Sequence, residues 1–272
     1  MAKAVLVAAF ISVSLRLSFL VSGQDTVTGY TAHQLNCAKY LETGQSKILT
    51  ESGGRTRHQT SVRRGVWQFR ASAEGRQVGL EGWLDSLTIT RRSEETVMSP
   101  DTDGLLGGRY RGTLDQKGNY TPRVHPFVPD EVAEVAGMAD ALDDFFPPLP
   151  GRPLAVGQMW TDSSGLTIRR LPDSALSGVP LHRFETVKRE EARAAPPIGD
   201  AVPLKLKQES EEHGQSVWHP LLGLIGRDRT IVVETTVPPS RTVRRTVRSR
   251  VEQRITLERI PGPSSCSGSG GP

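Results

Sequence analysis

Apolar and polar residues alternate along most of this chain, and this two-residue period is typical of half-buried β-strands. Residues 56–72 and 76–92 are two such segments, and the short link 73–75 between them contains a glycine. The pattern therefore predicts a β-hairpin. Near Asp85 and Ser86 the apolar positions move to the other parity, which predicts a β-bulge at that point.

The same alternation recurs later in the chain. Residues 108–114 and 119–124 flank a glycine-containing turn and predict a second hairpin. Residues 242–260 form the longest strand candidate, with aliphatic residues on one parity and mostly arginines on the other. A strand of that length exceeds the usual five or six residues or so, and it favours a strongly curved sheet or a barrel.

Helical spacing of apolar residues dominates only in residues 130–146, where Pro129 stands before the segment and Pro147 directly after it. These signals predict an amphipathic helix. A shorter helix is predicted over residues 32–41. The predicted fold class is therefore mainly β (α+β): a long curved antiparallel sheet or incomplete barrel, covered by one amphipathic helix.

Two segments of the sequence resemble each other. Residues 75–92 and 151–170 share the pattern G-R-x-[VL]…W-x-D-S…L-T-I…R-R, with Trp83 and Trp160 at corresponding positions. Either a structural unit is used twice, or strands of similar composition resemble each other by chance. The predicted organisation is a signal peptide (1–23), a first β half (24–128), an amphipathic helix with a Pro-rich connector (129–150), a second β half (151–260) and a disordered tail (261–272).

The first 23 residues have the features of an export signal. Lys3 provides a positive start, residues 4–15 are apolar, and residues 21–23 fit a cleavage site. Because Arg16 interrupts the apolar stretch, two alternatives stay open: an uncleaved membrane anchor over residues 4–22, and a misassigned start codon. Cleavage would give a periplasmic or secreted protein without a transmembrane segment, and an uncleaved signal would give a membrane-anchored one.

Charge and cysteine content narrow the class of protein. The sequence has 34 Lys and Arg against 30 Asp and Glu. Since Lys3 and Arg16 lie in the predicted signal, the exported chain is close to neutral, and no nucleic-acid partner is expected. Export permits a disulfide between Cys37 and Cys266. The alternative is a buried Cys37 and an unpaired Cys266 in the Gly- and Ser-rich tail.

Motifs for metal binding or catalysis are weak. Asp101 and Asp103 resemble the opening of a calcium loop, but a third ligand before Gly104 and a later glutamate are missing. We therefore expect a turn there, with a weak cation site as the alternative. The six histidines show no zinc-site spacing, and no nucleophile elbow occurs within a folded segment. The sequence predicts no catalytic residue and no cofactor.

One stretch resembles a known group of proteins. Residues 145–150 and 156–162 read F-F-P-P-L-P and V-G-Q-M-W-T-D. They resemble the F-P-x-L-P…V-G-x-x-W-x-D signature of exported, uncharacterised bacterial mainly-β proteins. The resemblance implies no activity. It favours a bacterial envelope protein that is built of long antiparallel strands.

Three hypotheses of function follow. The first is a non-catalytic envelope protein that binds a hydrophobic or amphipathic ligand, such as a lipid, within the curved sheet. The second is a structural module that binds another envelope protein, and the third is a hydrolase without a recognisable motif. The first hypothesis predicts a cavity lined by tryptophans, for which the candidates are Trp67, Trp83, Trp160 and Trp218.

Overall fold

The computed structural model describes residues 29–133, 136–194, 205–239 and 244–263. The predicted signal peptide and most of the predicted tail, including Cys266, lie outside these residues. Within the described ranges, no helix is long and apolar enough to cross a membrane.

The described residues form twelve strands and two helices of one turn each. The strands are β1 (Lys39–Ser52), β2 (Arg55–Glu74), β3 (Gln77–Ser93), β4 (Val97–Met98), β5 (Tyr110–Leu114), β6 (Tyr120–Val124), β7 (Met159–Thr161), β8 (Thr167–Leu176), β9 (Val179–Ala194), β10 (Lys205–His219), β11 (Gly223–Val237) and β12 (Val247–Ile260). The helices are α1 (Ala32–Leu35) and α2 (Asp130–Ala133), and a 3₁₀ turn covers Asp103–Leu105.

All twelve strands belong to one curved antiparallel sheet that does not close into a barrel. This confirms the predicted mainly-β class and the open, curved sheet. The strand order is β6-β5-β3-β2-β1-β12-β11-β10-β9-β8-β7, with β4 attached to β3. Apart from the two-residue β4, each half of the sheet is a meander of strands that follow one another in the chain. The two meanders join where β1 pairs with β12, from Lys39 opposite Ile260 to Ser52 opposite Val247.

The two hairpin predictions are confirmed, whereas the strand predicted as the longest, over residues 242–260, begins at Val247 and has 14 residues against 20 in β2. Strands β2 and β3 form the first predicted hairpin, and β5 and β6 form the second. In the first hairpin Val66 lies opposite Ser86 while Trp67 lies opposite Leu84. Asp85 is therefore the extra residue of a β-bulge, at the position where the apolar parity changes in the sequence.

The buried core lies on one face of the sheet, which we call the inner face. Tyr40, Trp67 and Phe69 project from this face at one end of the strands and are fully buried. Residues 136–150, which we call the plug, cover that end. Phe145 of the plug packs against all three aromatic rings, with centroid distances of 5.7 Å to Tyr40, 5.7 Å to Trp67 and 5.2 Å to Phe69.

The prediction of a long helix over residues 130–146 is wrong. Helix α2 is described only over Asp130–Ala133, and residues 136–146 form bends and turns. Side chains of the sheet and of Tyr30, which precedes α1, bind the backbone carbonyls of the plug. Tyr110 donates a hydrogen bond to Met138 O (2.8 Å), Tyr30 donates one to Pro147 O (2.6 Å), and Arg227 donates one to Phe145 O (3.2 Å). Because these donors satisfy the carbonyls, the segment needs no continuous helix.

The predicted helix over residues 32–41 is also too long. Helix α1 ends at Leu35, and Cys37 then adopts a φ of 60°. The Cys37 amide donates to Phe69 O at 3.0 Å, so the chain pairs with β2 before β1 begins. Cys37 is disulfide-bonded. Cys266, the only other cysteine of the sequence, lies outside the described residues.

The two similar sequence segments have different local structures. The first lies within the single strand β3, where Asp85 forms the bulge. The second forms β7, a turn and β8, and the Asp162 carboxylate accepts hydrogen bonds from the amides of Ser164 (2.8 Å) and Leu166 (3.0 Å). The shared Asp-Ser pair therefore marks a bulge in one copy and a turn in the other.

Candidate ligand-binding site

The inner face is covered by the plug at one end only. Towards the other end it carries an aliphatic strip, which we define as five side chains of β1, β11 and β12. Val251 is the centre of the strip, since it lies opposite Ile48 on one side and Val233 on the other. All five residues are partly exposed, and none belongs to the buried core or packs against it. The members are Ile48, Ile231, Val233, Val251 and Ile255.

A cleft of about 570 Å³ lies beside this strip. Ile231 and Val233 form part of its floor, so the cleft and the strip are continuous. Phe146 of the plug, Tyr120 of β6 and Leu166 after β7 form part of its walls. The curvature of the sheet brings these distant segments together around one opening.

The polar lining of the cleft is centred on two buried arginines of β11. Glu212 Oε2 lies 2.6 Å from Arg229 Nη2, and Glu212 Oε1 lies 3.7 Å from Arg227 Nη2. Asp144 of the plug adds a second carboxylate, 3.3 Å from Arg229 Nη1, but its side chain is 78% exposed. Glu212 is therefore the main buried counter-charge of the pair.

The two arginines titrate in opposite directions. Burial and the charge of Arg229 lower the pKa of Arg227 to about 10. Burial also acts against the charged form of Arg229, but its hydrogen bond and ion pair with Glu212 outweigh that effect and raise its pKa. Both side chains are therefore cationic at neutral pH.

Two polar atoms at the cleft are buried without a hydrogen-bond partner: Arg229 Nε and the Tyr120 hydroxyl. Burial and the nearby Asp143 raise the pKa of Tyr120 to about 12, so its hydroxyl keeps its proton and can donate. A ligand oxygen that reached these donors would remove the cost of leaving them unpaired. The cleft can thus hold a polar group while the strip contacts an apolar chain.

The four tryptophan candidates are dispersed, and none lines the cleft. Trp67 and Trp218 are fully buried, and their indole N–H groups donate to Glu42 Oε2 (2.7 Å) and Ser216 Oγ (3.2 Å) respectively. Trp83 projects from the opposite, outer face. Trp160 lies on the edge strand β7, half-buried against the core.

The weak cation candidates form a turn. Asp101 Oδ1 accepts a hydrogen bond from the Asp103 amide at 2.9 Å, immediately before the 3₁₀ turn. Within the described parts of the chain, no group of three or more His, Cys, Asp or Glu residues could hold a metal ion.

The charged residues of the cleft were missed by the sequence analysis. The alternation in β11 places Ile231 and Val233 on one face, and Arg227 and Arg229 continue that face with charges. An arginine at an apolar position of a strand is the signal that would have identified them.

No known protein family matches this chain, and no curated protein matches its sequence. Among solved structures it is similar to lipovitellin, in a structure of its lipid–protein interactions, with 10% identity and a TM-score of 0.45 over 87% of this chain. The match covers 26% of that lipovitellin chain, so this protein spans only about a quarter of it.

Two bacterial structures match at lower TM-scores. One is a putative outer membrane lipoprotein-sorting protein domain from Vibrio parahaemolyticus, with 8% identity and a TM-score of 0.17 over 84% of this chain and 88% of that one. The other is a DUF1329 family protein from Desulfovibrio piger, with 8% identity and a TM-score of 0.18 over 83% and 88%. Such values establish nothing about what this chain binds.

Proposed function

We propose that this protein is a non-catalytic binding protein of the bacterial envelope whose ligand is amphipathic. The apolar chain of the ligand lies along the aliphatic strip, and its polar group enters the cleft beside Arg229. The observation that carries the proposal is the strip itself: aliphatic residues continue the core face of the sheet beyond the plug, yet they remain outside the core.

The energetics favour an apolar ligand at this position. Covering apolar surface stabilises a complex by about 0.8 kcal/mol for each buried methylene group. The open inner face has room for an extended chain, because Val251 and its cross-strand neighbours form a continuous surface across three strands. A ligand without a hydrogen-bond acceptor would gain this term but would leave Arg229 Nε unpaired.

Two observations support a location outside the cytoplasm. The N-terminal segment has the composition of an export signal. Cys37 is disulfide-bonded, and disulfides persist mainly in oxidising compartments such as the bacterial periplasm. We therefore propose a periplasmic or secreted protein.

Native mass spectrometry tests the proposal most directly. The exported protein is purified from a bacterial periplasm without detergent, and its mass is compared before and after organic extraction. We expect a reproducible excess mass that extraction removes. A protein without excess mass that also fails to bind a fluorescent fatty acid or phospholipid would refute the proposal.

A matched pair of variants locates the site. Val233 and Val232 are neighbours on β11 but project from opposite faces of the sheet, since Val233 lies opposite Val251 while Val232 lies opposite Glu252. Val233→Lys places a charge on the aliphatic strip, and we expect at least a tenfold loss of affinity for the fluorescent lipid. Val232→Lys should bind as the wild type does. Equal effects of the two substitutions would contradict the assignment.

A further inference from the structure

The outer face of the sheet carries a cluster of arginines that the proposed ligand site does not use. Glu81 of β3 lies directly opposite Arg70 of β2 and Arg111 of β5. Its carboxylate lies 3.8 Å from Arg70 Nη1, 2.8 Å from Arg111 Nε and 3.6 Å from Arg109 Nη1. Three guanidinium groups therefore share one carboxylate.

A fourth arginine extends this cluster. Arg123 of β6 lines the same surface groove of about 570 Å³ as Arg70 and Arg111, and its Nη2 lies 3.1 Å from Glu74 Oε2. We call Arg70, Arg109, Arg111 and Arg123 the arginine platform. Among the described residues, Arg109, Arg111 and Arg123 alone outnumber their two carboxylate partners, Glu81 and Glu74, so this part of the outer face carries an excess of positive charge.

Arg109, Arg111 and Arg123 have more hydrogen-bond donors than Glu81 and Glu74 can accept. Each guanidinium offers five N–H donors, whereas a carboxylate accepts about four hydrogen bonds. Arg109 is held in place with its guanidinium carbon 3.9 Å from the centre of the Trp83 ring. Such pre-positioned donors suit the oxygens of a phosphate group.

Exposed apolar side chains lie at the edge of the platform. Val124 also lines the groove and is 51% exposed, and Phe127 follows three residues later and is 80% exposed. The loop before β5 contains Leu106, which is 38% exposed. This loop lies against the segment that contains Phe127, since Gly108 is close to Pro126. Basic residues beside exposed aromatic and aliphatic ones are typical of surfaces that bind at the membrane interface.

We propose that the arginine platform docks the protein on an anionic lipid bilayer. The arginines bind the phosphate groups of the lipids, and Phe127 and Val124 enter the interface beside them. The arginines lie on three strands and in the loop before β5, so their charge extends across the sheet face and matches an extended charged surface better than a small ligand. This docking is independent of the ligand site on the inner face.

The arginines of β12 are a weaker candidate for the same role. Arg254 is paired with Asp228 at 2.5 Å, and Arg250 forms an ion pair with Glu234 on the neighbouring strand. These acids neutralise much of the charge of β12. Arg248, which is exposed and forms no ion pair with the described residues, serves as a control position.

Vesicle flotation tests the docking proposal with the exported, folded protein. The vesicles are pure phosphatidylcholine, or phosphatidylcholine with one third phosphatidylglycerol. We expect binding only to the anionic vesicles, and we expect it to weaken as salt increases. Binding to both kinds of vesicle alike would overturn the proposal.

Two double variants with the same change of charge identify the surface. Arg111 and Arg123 have side chains 58% and 59% exposed, so Arg111→Gln with Arg123→Gln removes two charges with little effect on folding. We expect about a fivefold loss of vesicle affinity for each arginine, hence about 25-fold in total. Arg64→Gln with Arg248→Gln is the control and should lose less than twofold, because Arg64 is an exposed residue of β2 that does not line the groove.

Three outcomes would overturn the docking surface: wild-type affinity of the platform variant, an equal loss in the control variant, or binding to soluble dextran sulfate without binding to anionic vesicles.

Phe127→Ser provides a separate readout, because it leaves every charge in place. It should weaken vesicle binding at high salt more than at low salt. The Val233→Lys variant should bind the vesicles normally, so a failed ligand site and a failed docking surface give different results.

Discussion

The buried charge network of the cleft predicts that Glu212→Gln destabilises the protein strongly. Glutamine keeps the shape of the side chain and an oxygen that Arg229 can reach, but it removes the negative charge. Arg227 and Arg229 then keep their positive charges in a buried position, since their side chains are only 5% and 8% exposed. Asp144 compensates little, because water screens its exposed carboxylate.

The distances set the size of the effect. At an effective dielectric constant of about 20, the contacts of 2.6 Å and 3.7 Å correspond to attractions of about 6 and about 4 kcal/mol. The cost of removing the Glu212 carboxylate from water offsets much of this gain. Measured losses on removing one partner of a buried ion pair are about 3–5 kcal/mol, and we expect a loss of free energy of unfolding in that range.

Urea unfolding at pH 7, followed by tryptophan fluorescence, measures this loss. Glu211→Gln is the matched control, because Glu211 is the next residue on β10 and pairs with Arg189 on the exposed outer face. We expect its unfolding midpoint to be unchanged. Combining Glu212→Gln with Arg229→Gln should recover part of the loss. A loss below about 1 kcal/mol for Glu212→Gln, or no recovery in the double variant, would refute the reasoning.

Three further predictions concern titration and the disulfide. Burial raises the pKa of all four tyrosines, to about 12 for Tyr40 and Tyr120. We therefore expect the phenolate absorbance of the native protein to rise only well above pH 10, and the free energy of unfolding to fall as the pH rises past about 10. Titration of two tyrosines near pH 10 in the native protein would contradict this. Burial, Asp140 and Asp144 raise the pKa of Asp143, so the charged form destabilises the fold. Asp143→Asn should therefore raise the unfolding midpoint slightly at pH 7 but not at about pH 3, and a gain that persists in acid would exclude this cause. Because Cys37 is disulfide-bonded, the protein unfolded without reductant should take up no maleimide, and uptake of the label would disprove the bond in the purified protein.

Local periodicity was sufficient to predict the hairpins β2–β3 and β5–β6, but it did not predict β1. The parity change at Asp85 marked the bulge correctly. Apolar residues occupy the buried face of a strand and polar residues the exposed face, so an extra residue moves the apolar positions to the other parity. The long strand β12 was predicted for the same reason, with its aliphatic residues on the inner face and its arginines mostly on the outer face. Both inferences depend on residues that are close in sequence.

The plug shows where periodicity fails. The apolar residues of segment 130–146 have helical spacing, but they are buried in turns rather than in a long helix. The donors that hold its carbonyls are distant in sequence: Tyr110 lies 28 residues from Met138, and Tyr30 lies 117 residues from Pro147. A pattern in one segment does not show partners at that distance.

The candidate site was not predicted either, because its residues are also distant from one another in the sequence. None of the four tryptophan candidates lines the cleft, and Trp67 and Trp218 are fully buried in the core. The cleft depends on β11 and the plug, which meet through hydrogen bonds from Arg227 across more than 80 residues.

The sequence by itself determined the mainly-β class, the first hairpins and their bulge, since alternation along a strand is a local property with a two-residue period. Only the tertiary structure decided which strands are neighbours, how far the plug covers the inner face, and that the aliphatic strip and the Glu212 network meet at one cleft. These features follow from the pairing of β1 with β12 and from the curvature of the sheet. Both join residues that are far apart in the chain, so no short stretch of sequence carries the information.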